Sequence, residues 1–164
     1  MLRSSTLLFI LSLMFIVTSC DSNQVFDAYQ TVPGSWNKDE KITFNFTPPD
    51  TTNTYNLFVN IRNDEAYKYS NLFLIIGLEF PHGKTITDTL EYKMAKPNGA
   101  FLGEGFSSIK ENKLWYKEGF SLNESGTYTV KIQHAMRESG KVNGITNLEG
   151  ITDVGFRIEN PSTH

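Results

Sequence analysis

Tyr55-Asn56-Leu57-Phe58-Val59-Asn60-Ile61-Arg62 decides the fold. Tyr55, Leu57, Val59 and Ile61 share one parity, while Asn56, Phe58, Asn60 and Arg62 share the other. An apolar period of two marks a strand with one face in a core, because alternate side chains of an extended chain point to opposite sides. Upstream, Ile42, Phe44 and Phe46 alternate with Thr43 and Asn45 until Pro48-Pro49 ends the run. Downstream, Leu72–Phe80 is almost continuously apolar, broken by Gly77 and Glu79, which predicts a central strand covered on both faces. Pro81-His82-Gly83-Lys84 then turns into Thr85–Met94, where Ile86, Leu90, Tyr92 and Met94 share a parity with Asp88, predicting a long hairpin. Pro97-Asn98-Gly99 makes a second turn, and Gly103 and Gly105 interrupt regular structure near Phe101 and Phe106, predicting a loop or bulged edge.

Farther on, Leu114-Trp115-Tyr116 reads as a short aromatic strand, Tyr128, Val130 and Ile132 as another, and Val154–Ile158 as the last. Ser107–Lys113 is the one stretch that reads as a helical turn. Closely spaced strands with turn residues between them predict an all-β domain. The expected form is an antiparallel β-sandwich, jelly-roll or immunoglobulin-like, of about seven to nine strands.

The start of the chain follows a different logic. Arg3 precedes the apolar run Leu7–Val17, which ends in Val17-Thr18-Ser19-Cys20 and is followed at once by Asp21-Ser22-Asn23-Gln24. This is the layout of a secretory signal peptide. It is too short to span a bilayer, for which about 20 apolar residues are needed. Cys20, the only cysteine, stands where the bacterial lipobox places its lipidated residue, and the segment resembles that motif. The resemblance implies a diacylglycerol on the thiol, cleavage before Cys20 and acylation of the new amino terminus. One acyl chain holds a protein only marginally at about 0.8 kcal/mol per buried methylene, whereas two or three make attachment stable. A single cysteine also forms no internal disulfide.

The expected organisation is a signal peptide over 1–19, a lipidated tether over 20–37, a sandwich over 38–160 and a tail over 161–164. The tether carries Phe26, Tyr29 and Trp36 with a turn at Pro33-Gly34, and is expected to dock at its far end. Without residues 1–19 the chain keeps 145 of its 164 residues. A domain of that size buries roughly 68–70% of its unfolded surface and needs no covalent staple. Loss of Arg3 leaves 14 basic against 18 acidic residues, a net charge of −4, with no block of like charge. Nucleic acid is therefore not an expected partner, because phosphate binding leaves a basic patch or stripe.

The residues supply little catalytic chemistry. His82 lies in a turn, His134 at a strand end and His164 at the terminus, without the cysteine or histidine spacing of a zinc site. His134 reads as an imidazole hydrogen-bonded to a neighbour, since a general base needs a positioned partner. There is no Gly-x-Ser-x-Gly elbow. Asp39-Glu40 and Asp64-Glu65 are adjacent pairs, which point to opposite faces of a strand. Gly103-x-Gly105 lacks the remainder of a phosphate loop. No catalytic residue, metal site or cofactor is assigned. Trp36, Trp115 and Tyr116 have two readings, a sugar-stacking platform or packing in and around the core.

Several blocks resemble the GldH family of gliding-motility lipoproteins of Bacteroidetes. They are Tyr55–Arg62, Tyr69–Leu74, Asp88–Tyr92, Lys113–Gly119, His134–Arg137 and Glu149–Ile158, in the family's order and with similar spacing from Cys20 to Glu159. The resemblance implies a non-enzymatic envelope lipoprotein, anchored through Cys20 at the outer membrane, that acts with other gliding lipoproteins and the type IX secretion and motility machinery. The family offers no catalytic residues to carry over. A surface reading adds Trp115, Tyr116, His134, Arg137 and Arg157 as partner contacts, because aromatics and arginine are enriched at interface cores. From a different class, the competing function is a surface lipoprotein that binds glycan through Trp115, Tyr116 and Trp36 and feeds an importer. A hydrolase with distant carboxylates ranks third. Reversing the charge at Arg137 is expected to weaken partner recovery in a pull-down; unchanged recovery removes Arg137 from the contact set.

Overall fold

The computed structural model describes residues 23–161, so the signal peptide, Cys20 and residues 162–164 lie outside the described residues. Ten strands follow one another: β1 Gln24–Thr31, β2 Ser35–Asn37, β3 Ile42–Phe46, β4 Thr54–Asn63, β5 Asn71–Glu79, β6 Thr85–Lys93, β7 Lys110–Ser121, β8 Tyr128–His134, β9 Asn147–Glu149 and β10 Ile151–Glu159. Two four-stranded antiparallel sheets carry the orders β1-β10-β4-β7 and β3-β8-β5-β6, and β2 pairs with β9. With the two three-residue strands set aside, the orders become 1-8-3-6 and 2-7-4-5, the double Greek key of a jelly roll. The immunoglobulin-like alternative does not apply.

The alternation that decides β4 does what a period of two requires. Leu57, Val59 and Ile61 face the other sheet with no exposure, opposite Ile158, Phe156 and Val154 of β10. From the second sheet, Phe44 and Phe46 of β3 and Leu72, Leu74, Ile76 and Leu78 of β5 close the core. Phe156 lies at its centre, with ring centroids 6.3 Å from Phe44, 5.7 Å from Phe46 and 6.4 Å from Phe26. Truncating a buried aromatic of this kind costs about 3–5 kcal/mol.

Four expectations are corrected. Residues 24–37 are docked along their length and not only at the far end, since β1 pairs with β10 from Gln24 to Thr31 and forms an edge of the first sheet. Its isolated aromatics are the reason: Phe26 packs on Phe46 at 5.7 Å, and Trp36 is fully buried. Ser107–Lys113 is not a helical turn, because Glu104 and Glu111 exchange backbone hydrogen bonds of 2.8 Å and the chain is already extended from Lys110. The short aromatic strand is the middle of the twelve-residue β7. Finally, β5 is buried on one face only, with Phe73, Ile75, Gly77 and Glu79 half-buried on the other.

Strand direction sorts the loops between the two ends of the sandwich. Gln24 starts β1 opposite Glu159 at the end of β10, so both described ends of the chain leave from one side, the proximal end. Loops 47–53, 80–84 and 122–127 lie at that end; 32–41, 64–70, 94–109 and 135–150 lie at the other, the distal end. Strands of nine residues separate the two by roughly 30 Å. The distal end is plugged by Trp36 and Leu148, facing residues of the β2–β9 pair.

Two glycines separate backbone demand from close packing. Gly150 has φ +83°, and a Cβ there would lie 2.1 Å from the Tyr67 backbone nitrogen; Gly99 has φ +85° with open space around it. Gly99→Ala is expected to cost about 1–2 kcal/mol from conformation alone, while Gly150→Ala should cost clearly more and separate the β9–β10 corner from loop 64–70. Urea denaturation of the two variants checks the order.

Candidate functional site

Side-chain parity on β4, β7 and β10 builds an outer layer on the first sheet. Arg157, Phe58 and Trp115 stand side by side across it, as do Asp153, Arg62 and Glu111 two steps toward the distal end. Trp115 lies on Phe58 with centroids 4.4 Å apart, burying Phe58 while remaining 53% exposed itself. Lys113 covers the other part of Phe58, its Nζ 4.2 Å from the ring centre. Gly155 has no side chain to lift the layer, and the Tyr29 ring crosses it where a Cβ would stand 2.8 Å from the ring carbons. Tyr29 thereby reaches Glu111, donating its hydroxyl at 2.7 Å, while Arg62 Nε donates to the same carboxylate at 2.8 Å. Burial pushes the Glu111 carboxyl up, but those two hydrogen bonds and the Arg62 charge outweigh it and hold its pKa below 4.5.

The expected contact residues do not gather into one surface. Arg157 belongs to the layer and is neutralised there, with Nη1 2.7 Å from Asp27 Oδ2 and Nε 2.5 Å from Glu159 Oε1. Glu159 also takes Lys113 Nζ at 2.6 Å. Tyr116 points away from its neighbour Trp115, into the space between the sheets, and donates to Asp88 Oδ2 at 3.0 Å. Burial and the Asp88 charge raise its pKa. Adjacent residues of one strand cannot form one platform. Trp36 is fully buried, with its Nε1 donating to the Glu40 carbonyl at 3.1 Å. The three-aromatic glycan platform therefore does not assemble, and Tyr116 is not an exposed anchor.

His134 is the hydrogen-bonded strand-end imidazole expected, but as a partner contact it is corrected. It is 2% exposed, edge-on to Trp36 at 5.4 Å, with Nε2 2.9 Å from the Trp36 carbonyl oxygen. This is a core histidine that ties β8 to β2. Burial lowers its pKa, the Trp36 carbonyl partly opposes this, and the Lys38 charge adds to the lowering. Arg137 is exposed in the distal loop, beside the half-buried Phe73, Ile75 and Ala135 on the outer face of the second sheet.

Sequence reasoning missed the apolar side chains of the distal loops. Leu102, Phe106 and Ile109 in loop 94–109, together with Val142 near Arg137, are exposed, and Trp115 is the remaining exposed large hydrophobic among the described residues. Large apolar residues lying among glycines, with no periodic partners, were the available signal. Among the described residues no three His, Cys, Asp or Glu side chains come together as a metal site, and no helix is long and apolar enough to cross a membrane.

Fold and surface together define a jelly-roll domain with an ion-paired outer sheet and an apolar distal end. The family profile described as GldH lipoprotein matches residues 24–158, and the chain belongs to that family of gliding-motility lipoproteins. It is 54% identical over 159 residues to the gliding motility lipoprotein GldH homolog of Christiangramia forsetii, covering 96% of this chain and 98% of that one. It is 52% identical over 144 residues to the gliding motility lipoprotein GldH of Flavobacterium johnsoniae, covering 88% and 89% respectively. Among solved structures, a chain of the infectious bursal disease virus Gx strain overlays with a TM-score of 0.38 at 12% identity, covering 89% of this chain and 35% of the viral one.

The buried histidine yields a pH dependence. Its folded pKa lies below the ordinary 6.5, so the unfolded chain takes up a proton first as pH falls. Its stability contribution is complete above pH 6.5 and is lost as the pH drops toward the folded value. His134→Gln is expected to flatten the fall in melting temperature between about pH 7 and 5.5. An unchanged slope would contradict this assignment.

Proposed function

We propose that this chain is a non-enzymatic component of the gliding machinery, anchored in the outer membrane through lipid on Cys20, and that it works by holding a protein partner at its distal end. The partner class is another gliding lipoprotein or a component of the type IX secretion and motility machinery. The family membership supports the motility setting.

One observation carries the association reading. Leu102, Phe106, Ile109 and Val142 occupy distal loops, whereas the proximal loops expose no large hydrophobic side chain among the described residues. Cys20 precedes Gln24 by four residues, a reach of at most about 14 Å. The proximal end is thereby held beside the bilayer, while the apolar loops lie roughly a strand length farther out. Exposed apolar side chains grouped away from the anchoring membrane fit a protein surface, because such groups are otherwise a liability in water. The ion pairs around Arg157 and Arg62 suit a scaffold that keeps its first sheet solvated, with each exposed pair contributing little to stability.

Cys20→Ala is expected to move the protein from the membrane to the soluble fraction and to abolish spreading of a gliding host. Phe106→Asp with Leu102→Asp should leave the protein in the membrane fraction with an unchanged melting temperature and still abolish spreading. Normal gliding by the double variant would refute a working distal end.

A further inference from the structure

The first sheet ends in an unfinished edge. Antiparallel ladders alternate pairs that exchange hydrogen bonds with pairs that do not. Glu111 gives both of its backbone bonds to Glu104, on the side away from β4. In the register Asn60↔Lys113 and Phe58↔Trp115, the main-chain groups of Lys113 and Trp115 therefore also point away from β4, to the open side of β7. The Trp115 carbonyl there accepts the Tyr92 hydroxyl at 2.7 Å. No backbone partner meets the Lys113 N–H and C=O or the Trp115 N–H among the described residues.

The reason is visible in the preceding loop. The register set by Glu104 and Glu111 would place Leu102 opposite Lys113, but Leu102 instead donates to the Met94 carbonyl at 2.9 Å. The loop peels off β7 after one rung. Gly103 permits the departure, since a Cβ there would stand 2.9 Å from the Asn112 side chain. What remains beside the open edge is a cleft of about 710 Å³ lined by Lys93, Leu102, Glu104, Phe106, Lys113 and Leu114, among others.

We propose that this cleft accepts an extended peptide segment of the protein partner, which adds to the first sheet as a strand along the open edge of β7. The inference rests on the association reading and deepens it. Edge addition supplies affinity through main-chain hydrogen bonds and specificity through alternate side chains. The rung opposite Leu114 shares the inward face of that core residue, and Leu102 lines the same cleft, so the position selects an apolar residue. Lys93, exposed at the end of β6 and lining the cleft, selects an acidic residue nearby. The occupant is thus a strand-forming peptide of alternating pattern with an apolar and an acidic position.

The test uses a random nine-residue peptide library displayed on phage, selected against the full chain in detergent micelles. The expected result is a set of binders with period-two patterning that slow hydrogen exchange at the Lys113 and Trp115 amides at least tenfold. Leu102→Asp should weaken them at least tenfold. Lys113→Pro, which removes one edge N–H and no bond to β4, should abolish them, while Lys113→Ala retains binding. An absence of binders, protection at other amides, or binding indifferent to Leu102→Asp overturns the proposal. Loss of gliding on Phe106→Asp with Leu102→Asp, combined with a failed peptide test, would leave distal association standing and remove strand addition alone.

Discussion

Phe156 packs against Phe26, Phe44 and Phe46 between the two sheets, and the rest of the structure depends on the register which that packing imposes on β10. β10 lies between β1 and β4 and pairs with both. With Val154, Phe156 and Ile158 inward, Gly155 and Arg157 must face outward, and each has a task there. Gly155 leaves room for the Tyr29 ring, and Arg157 binds Asp27 and Glu159. A slip of one residue would send every one of these groups to the wrong side.

The same register explains the difference between the two ends. Because β1 begins where β10 finishes, the first and last described strands start and end on the same side of the sandwich. The long connections 94–109 and 135–150 fall at the opposite end, where rigid strands present loops that are free to vary and to bind. The proposed membrane anchor and the proposed binding end, set apart along the strand axis, suit a component that spaces a partner from a bilayer. The buried Trp36–His134 contact ties β2 to β8 at the distal end.

Much of the fold was legible because parity is local. Tyr55–Arg62, Ile42–Phe46 and the Pro81–Lys84 hairpin are read correctly from alternation and turn residues. The errors arose where tertiary packing overrides local pattern. Residues 24–37 look like a tether because their polar residues hide the edge-strand role, and Phe26 and Trp36 make sense only once β10 and β9 lie beside them. Ser107–Lys113 shows no alternation at its start because residues 107–109 belong to the loop that precedes β7, which begins only at Lys110. For the surface, type alone misled: Tyr116, Trp36 and His134 are residue types common at interfaces but lie inside, and Arg157 is spent on ion pairs. Arg137 and Trp115 do lie exposed, on different parts of the molecule.

The account stands or falls on which end of the sandwich meets protein. The most direct measurement is photo-crosslinking in living, gliding cells with a photoreactive phenylalanine placed at Phe106 in the distal loop or at Asn53 in the proximal loop. The account predicts a discrete crosslinked species containing a gliding or type IX secretion protein from position 106 and none from position 53. Crosslinks from position 53 alone, or glycan-import proteins at position 106, would contradict it.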